Sequence, residues 1–228
     1  VVVETNRVGM MIDVSHPSKE AMRQMIALSQ APIIASHSSA RALCNHSRNL
    51  DDEQLQWMKE NGGVVQPVAF SSYLNTEKHE VRAKFEETIG KKIMDSLGVQ
   101  WVDRKDFRTL SKEVRETYYE NYMKMQQLRK ERMKDMKELP PAVNVSDYVD
   151  HIDYLVEKMG LNHVGISSDF DGGGGIEGWD DASETFNVTL ELVKRGYSEE
   201  EISKLWSGNL LRVLDEVEAV ARTMKSKA

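Results

Sequence analysis

Hydrophobic residues come along this chain in short continuous runs, each answered by a stretch with helical spacing. Gly9–Val14 (GMMIDV), Ile33–Ala35, Val64–Phe70 and Leu161–Ser168 are apolar runs of the buried-strand type. Ser18 predicts the N-cap of a helix through Ala21, Met25, Ile26 and Leu28. Asp51 and Asp52 predict a helix through Leu55, Trp57 and Met58 that stops at Asn61-Gly62-Gly63. Ser146–Met159, with Gly160 just past its end, precedes the fourth strand, and Ala182–Arg195 is the helix after it. Ser198-Glu199-Glu200-Glu201 resembles a capping box opening Ile202–Trp206. A terminal helix follows through Leu210, Leu211, Val213, Leu214 and Val217, with Thr223–Ala228 reading as frayed. Four β-then-α units in succession predict an α/β fold with a parallel sheet, doubly wound or barrel. Four units are half of a (β/α)8 barrel.

Between the third and fourth strands the period changes. Glu77–Leu97 reads as one helix, Gly98–Thr109 as a break, and Ser111–Leu139 as a long amphipathic helix ended by Pro140-Pro141. Its stripe of Val114, Tyr118, Tyr122, Met125 and Met133 reads as packing surface. Charge sets the region apart: Lys78–Glu138 holds 16 Lys/Arg against 12 Asp/Glu, while the 228-residue chain carries a net −7. We therefore read about 78–138 as a helical insertion with a solvated charged face, serving outer packing or a homodimer contact. The net acidity argues against a nucleic-acid partner held through phosphates. No apolar run approaches the ~20 residues of a membrane span, and no signal peptide is visible. The opening VVVETNRVGM resembles the end of a helix running into a strand, which suggests a processed piece, a truncated form or one half of a larger fold. The single cysteine, Cys44, excludes an intrachain disulfide and says nothing of compartment.

Candidate chemistry gathers at the strand ends. His16 follows the first strand, His37 the second and Asp169 the fourth, and a parallel sheet puts all three on one rim. Consecutive strands would set the two imidazoles side by side, and two imidazoles with a carboxylate suit a borderline metal such as zinc. The stretch His163–Gly175 (HVGISSDFDGGGG) admits two readings, a site or a turn in which Asp169 or Asp171 caps the next helix. No GxGxxG follows the first strand and no GxxxxGK[ST] is present. Asp169, Asp171, Glu177, Asp180 and Asp181 around the four glycines would repel a phosphate and favour a cation or amine. His46, His79, His151 and His163 lack this placement and read as structural or solvated.

The segments GMMIDVSH, PIIASHSSARALCNHSRNL, VGISSDFDG and SGNLLRVLDEVE, in this order and spacing, closely resemble the C-terminal half of the membrane dipeptidase (renal dipeptidase, M19) family. The resemblance covers nearly the whole chain except Lys78–Glu138, which looks like an insertion of some bacterial members. It implies the C-terminal half of a (β/α)8 barrel of the metallo-dependent hydrolase type, with two zinc ions per complete site and dipeptides as substrates. It also implies that His16 and His37 ligate the same one of the two metals, and that Arg48 pairs with the substrate's C-terminal carboxylate. Asp169 would shuttle the proton beside the attacking water, and Tyr73 would line the substrate pocket. Asp171 matches no family role and reads as a structural hydrogen-bonding residue.

The family's N-terminal half carries an HxD pair, a metal-bridging glutamate and a carbonyl-polarising histidine, none of which has a counterpart here. The expectation is an isolated chain that is inactive, needing the N-terminal half of the barrel, in the limit as a separate chain. A bacterial extracytoplasmic (periplasmic) location is favoured over the cytoplasm. Two rivals stand beside this reading. One is a non-catalytic half-barrel or interaction module whose rim residues are relics. The other is an amidohydrolase-type metalloenzyme acting on a cyclic amide or lactone, which would not need Arg48.

Overall fold

A computed structural model describes residues 1–226, so the terminal pair Lys227 and Ala228 of the segment read as frayed lie outside the described residues. The chain forms two compact units, Val1–Thr76 with Val143–Ala228, and Glu77–Ala142.

In the first unit, helix α1 (Val2–Val8) ends at Gly9, whose φ of 84° closes the helix in the left-handed region. The first apolar run follows as extended chain. Helix α2 (Lys19–Leu28) starts at Ser18, whose side chain accepts the Ala21 N–H. Strand β1 (Ile34–Ala35) leads to α3 (Asp52–Asn61), opened by a reciprocal capping box between Asp51 and Gln54. Strand β2 (Val64–Val65) is followed by the single turn α4 (Ser71–Leu74). Gly63 before β2 has no room for a side chain: a Cβ there would lie 2.4 Å from the Ile33 carbonyl oxygen.

Four segments pair in parallel in the order of the sequence. Asp13 bridges Ile34, Ile34 and Ala35 pair with Val64 and Val65, and Val65 bridges Val164. Regular ladder is confined to β1 and β2; the first and fourth runs join by single bridges. The fourth run differs from its expected bounds, because Leu161–His163 turns as a 3-10 segment and pairing starts only at Val164. Buried Ile12, Val14, Ile33, Ala35, Val65, Val164 and Ile166 meet Met22 of α2, Leu55 and Met58 of α3, and the helices after residue 143. Burying each Val, Ile, Leu or Met among them contributes ~1.5–3 kcal/mol, and this burial sets the strand register.

The second unit holds α5 (Thr76–Ser96) from its second residue on, the short α6 (Arg104–Phe107) inside the expected break, and α7 (Lys112–Lys134). Helix α7 ends at Lys134, five residues before the expected Leu139. Ile89, Ile93, Met94, Tyr118 and Met125 form its core, joined by partly buried Tyr122 and Met133. Val114, read as part of that stripe, is exposed.

The chain returns to the first unit with α8 (Val145–Met159), capped by a box between Asn144 and Asp147. The helix expected over Ala182–Arg195 is divided into a 3-10 turn, Ala182–Glu184, and α9 (Phe186–Lys194). Ser198 and Glu201 form the expected capping box of α10 (Glu199–Ser203). A π turn, Lys204–Gly208, joins it to α11 (Asn209–Ser226), so Thr223–Ser226 is helical rather than frayed. Among the described residues, no helix is long and apolar enough to cross a membrane.

Candidate metal and carboxylate site

The first two strand ends place their side chains in matching positions. His16 and His37 each lie three residues past the bridge between Asp13 and Ile34, and their Nε2 atoms are 2.8 Å apart. Ser15 and Ser36, one residue earlier, are neighbours for the same reason, with hydroxyl oxygens 3.5 Å apart. The Ser15 hydroxyl accepts the His37 backbone N–H at 2.9 Å.

Asp13 organises this corner. Its Oδ1 accepts the backbone N–H groups of Ser15 at 3.0 Å and Ser36 at 3.1 Å, and its Oδ2 accepts the Ser36 hydroxyl. The Ser36 oxygen in turn meets His37 Nδ1 at 2.7 Å. With its proton committed to Asp13, Ser36 accepts from Nδ1–H, which leaves the His37 Nε2 lone pair facing His16. Desolvation pushes the Asp13 carboxyl up, but the hydrogen bonds from Ser36 and Ser15 outweigh it and hold the pKa below the ordinary range. Burial lowers the His37 pKa, with His16 and Arg48 acting in the same direction and Asp13 and Asp169 opposing. The electrostatic environment of one imidazole thus includes all four of these neighbours.

Asp169 ends the fourth run at φ 56°, the single non-glycine residue at positive φ among those described. Its carbonyl accepts the N–H groups of Gly172 at 3.0 Å and Gly174 at 2.7 Å. The turn is too tight for side chains: a Cβ on Gly174 would lie 2.0 Å from the Ser168 carbonyl oxygen, and one on Gly172 would meet the Asp169 carboxylate. Gly175 N–H then bonds to the Ala69 carbonyl, tying the turn to the third strand's end. The stretch is a turn that presents one acid, but neither Asp169 nor Asp171 caps the next helical element, whose N-cap is Asp181. Asp171 is exposed and makes no hydrogen bond among the described residues, contrary to the structural bond expected of it. A cleft of about 340 Å³ opens beside Asp169, walled by Gln66, Phe170, Trp179 and Trp206. His16, His37, Arg48 and Tyr73 lie outside that wall.

Arg48 and Tyr73 form the other edge. Arg48 Nε donates to the Ser15 carbonyl at 3.2 Å, and its Cζ lies 5.9 Å above the Tyr73 ring. Its Nη2 is buried with no hydrogen-bond partner among the described residues. A buried guanidinium nitrogen left open costs stability unless an anion completes it.

The sequence model of the membrane dipeptidase family (peptidase family M19) matches residues 1–228. This chain belongs to the membrane dipeptidase family. It is 31% identical over 225 residues to the dipeptidase aclJ of Aspergillus oryzae, covering 98% of this chain and 39% of that protein. It is also 31% identical to human dipeptidase 3, over 100% of this chain and 34% of that protein. Among solved structures, the probable dipeptidase PvdM from Pseudomonas aeruginosa superposes with a TM-score of 0.68 at 39% identity, over 96% of this chain and 53% of that one. A Rhodobacter sphaeroides metallo peptidase liganded with a phosphinate mimic of L-Ala-D-Ala shares the fold, with a TM-score of 0.64 at 23% identity over 95% of this chain and 45% of that one. The chain thus spans between a third and about half of the length of these relatives. The dipeptidase fold is TIM-barrel-like and of the metallo-dependent hydrolase type, to which the parallel order of the four runs conforms.

Membership of a metallopeptidase family implies a metal cofactor. The residues present fit part of such a site: two imidazoles converge through Nε2, and one is held in the ligating tautomer by Ser36 and Asp13. Among the described residues no group of three or more His, Cys, Asp or Glu could by itself hold an ion.

Of the dipeptidase site residues expected from sequence, His16 and His37 touch, Arg48 and Tyr73 stand together, and Asp169 lies within electrostatic reach of His37. Asp13, Ser15 and Ser36 were not foreseen. Their signal was an acid inside an apolar run, three residues before a candidate histidine, and a serine beside each histidine. His151 and His163 are structural as expected: His151 bridges the Ala40 N–H and the Leu74 carbonyl, and His163 donates to the Gly63 carbonyl.

Proposed function

We propose that this chain supplies the C-terminal half of a (β/α)8 dipeptidase barrel and one half of a dizinc site that hydrolyses dipeptides. The observation that carries the proposal is the meeting of the His16 and His37 Nε2 atoms at one end of the sheet, beside an arginine whose buried Nη2 lacks a hydrogen-bond partner among the described residues. Family membership and the parallel order of four runs support it.

In this reading His16 and His37 hold one of the two zinc ions, and the N-terminal half of the barrel provides the remaining donors. Bound zinc supplies Lewis-acid chemistry, making a water acidic enough to attack near neutral pH and polarising the scissile carbonyl. Ser36, fixed by Asp13, holds the His37 proton on Nδ1. Arg48 takes the substrate's C-terminal carboxylate through its open Nη2, and Tyr73 beneath the guanidinium bounds that end of the pocket. Asp169 accepts a proton at its carboxylate from the attacking water and returns it to the leaving amine. A longer peptide has no charge where Arg48 reads one, which limits substrates to dipeptides. Alone, with two donors together, the chain is inactive.

The test uses the full-length, metal-loaded protein. Arg48→Ala is expected to raise KM for a dipeptide about ten- to hundredfold, the worth of one or two charge-assisted hydrogen bonds, and to leave a C-terminally amidated dipeptide unaffected. Unchanged dipeptide KM removes the carboxylate role. Turnover of cyclic amides or lactones but not dipeptides favours the amidohydrolase reading instead.

A further inference from the structure

Two ring stacks meet at Tyr73, beside Arg48. Phe70 stacks on Tyr73 with centroids 5.0 Å apart, and Tyr73 stacks on His46 with centroids 4.0 Å apart and planes 25° from parallel. His46 makes a second contact: its Nδ1 accepts the backbone N–H of Arg48 at 3.2 Å. An acceptor at Nδ1 requires the neutral ring with its proton on Nε2. Burial lowers the His46 pKa, with Arg48 and Arg41 acting in the same direction, which favours that neutral form.

These contacts bear on one side chain. Arginine has a long, freely rotating side chain, so it reads a carboxylate tightly only where its orientation is set before binding. Here the Arg48 side chain is held by the Ser15 carbonyl and the face of Tyr73, while Nη2 stays open. His46 supports both ends of that arrangement. It anchors the Arg48 backbone through Nδ1, and it stacks on the Tyr73 ring whose centroid lies 5.9 Å from the guanidinium carbon. Removing the imidazole frees a backbone N–H and leaves Tyr73 stacked on Phe70 alone.

We propose that His46 is a positioning residue, which sets Arg48 in place to receive a carboxylate. The identity of that carboxylate as the C-terminus of a dipeptide rests on the functional reading above; the positioning itself rests on the loop geometry.

The experiment uses the full-length, metal-loaded protein. His46→Ala is expected to raise KM for a dipeptide about tenfold with kcat within about twofold, because orientation of the binding group is lost and the chemistry is not. In an Arg48→Ala background His46→Ala is expected to add nothing. His46→Asn can offer Oδ1 to the same N–H two residues on, and His46→Phe keeps the stack, so each should recover part of the loss. Amide hydrogen exchange at Arg48, measured without substrate, should quicken in His46→Ala and His46→Phe and stay slow in His46→Asn. An unchanged KM in His46→Ala, or the same loss with and without Arg48, overturns the positioning role. If the wild-type protein turns over no dipeptide, the functional reading falls and exchange decides alone. Faster exchange at Arg48 in His46→Ala then upholds the positioning role, and unchanged exchange removes it.

Discussion

The imidazoles of His16 and His37 meet Nε2 to Nε2 at 2.8 Å although 21 residues separate them in sequence. The cause is register. Asp13 faces Ile34 across the first parallel pairing, and each histidine lies three residues beyond its partner in that bridge. A slip of one residue would turn the side chains to opposite faces and separate them. Apolar burial of Ile12 and Val14 against Ile33 and Ala35 therefore fixes the distance between two polar groups at the strand ends.

If His16 and His37 hold a metal as proposed, removing the Ser36 hydroxyl should loosen its binding without moving the two imidazoles. Ser36→Ala leaves the His37 Nδ1–H without its acceptor and takes one donor from Asp13. Zinc affinity of the full-length protein is expected to fall about 10–100-fold, the usual cost of losing a ligand's hydrogen-bonding partner. Chelator competition measures this directly; an unchanged affinity would show that the tautomer is set elsewhere.

Asp169→Asn should separate stability from activity. Asparagine tolerates the left-handed backbone that Asp169 adopts, so the free energy of unfolding should change by less than about 1 kcal/mol. In the proposed mechanism the amide cannot take a proton from the attacking water, and kcat should then fall about 10²–10⁴-fold. Denaturant titration alongside turnover would expose a misassigned proton acceptor as a variant with near-normal kcat.

Tyr148→Phe should destabilise the fold by about 2 kcal/mol. The Tyr148 hydroxyl is fully buried, accepts the Ser167 N–H at 3.1 Å and reaches the Pro67 and Ser167 carbonyls at 3.0 and 3.1 Å. Burial raises its pKa far above the ordinary phenol value. It joins the ends of the third and fourth runs just before Asp169, and the phenylalanine variant leaves those backbone groups unsatisfied. Urea midpoints of the two proteins check the magnitude.

His151 predicts a loss of stability under mildly acid conditions. It accepts the Ala40 N–H at Nδ1 and donates from Nε2 to the Leu74 carbonyl, so it must be neutral in the folded protein. Burial lowers its folded pKa below the ordinary 6.5. Its contribution is complete above the unfolded value and is lost as pH falls from there through the folded value, since the unfolded chain then binds the extra proton. Unfolding free energies measured from pH 7 down to about 5 should decline, and His151→Gln should flatten that part of the slope.

Much of the local architecture was legible in the residue pattern because its causes are local. Ser18, Asp51, and Ser198 with Glu201 cap the helices they precede, and Gly62 closes a helix in the left-handed region, whereas Gly9, read as the start of a strand run, closes α1. Alternating apolar runs and helical periods also announced four parallel units with His16, His37 and Asp169 at their ends. Helix limits were less legible where packing decided them: α7 stops at Lys134 and Ala182–Arg195 divides in two.

The sequence by itself determined the main helices and their caps, the parallel class and the residues bearing imidazole, guanidinium and carboxylate groups, because period, capping and chemical identity need no knowledge of distant neighbours. Only the tertiary structure decided that Asp13 and Ser36 govern His37, that His46 stacks on Tyr73, and that Arg48 keeps an open nitrogen. Those contacts join segments as far as 33 residues apart, and their geometry follows from register and core packing.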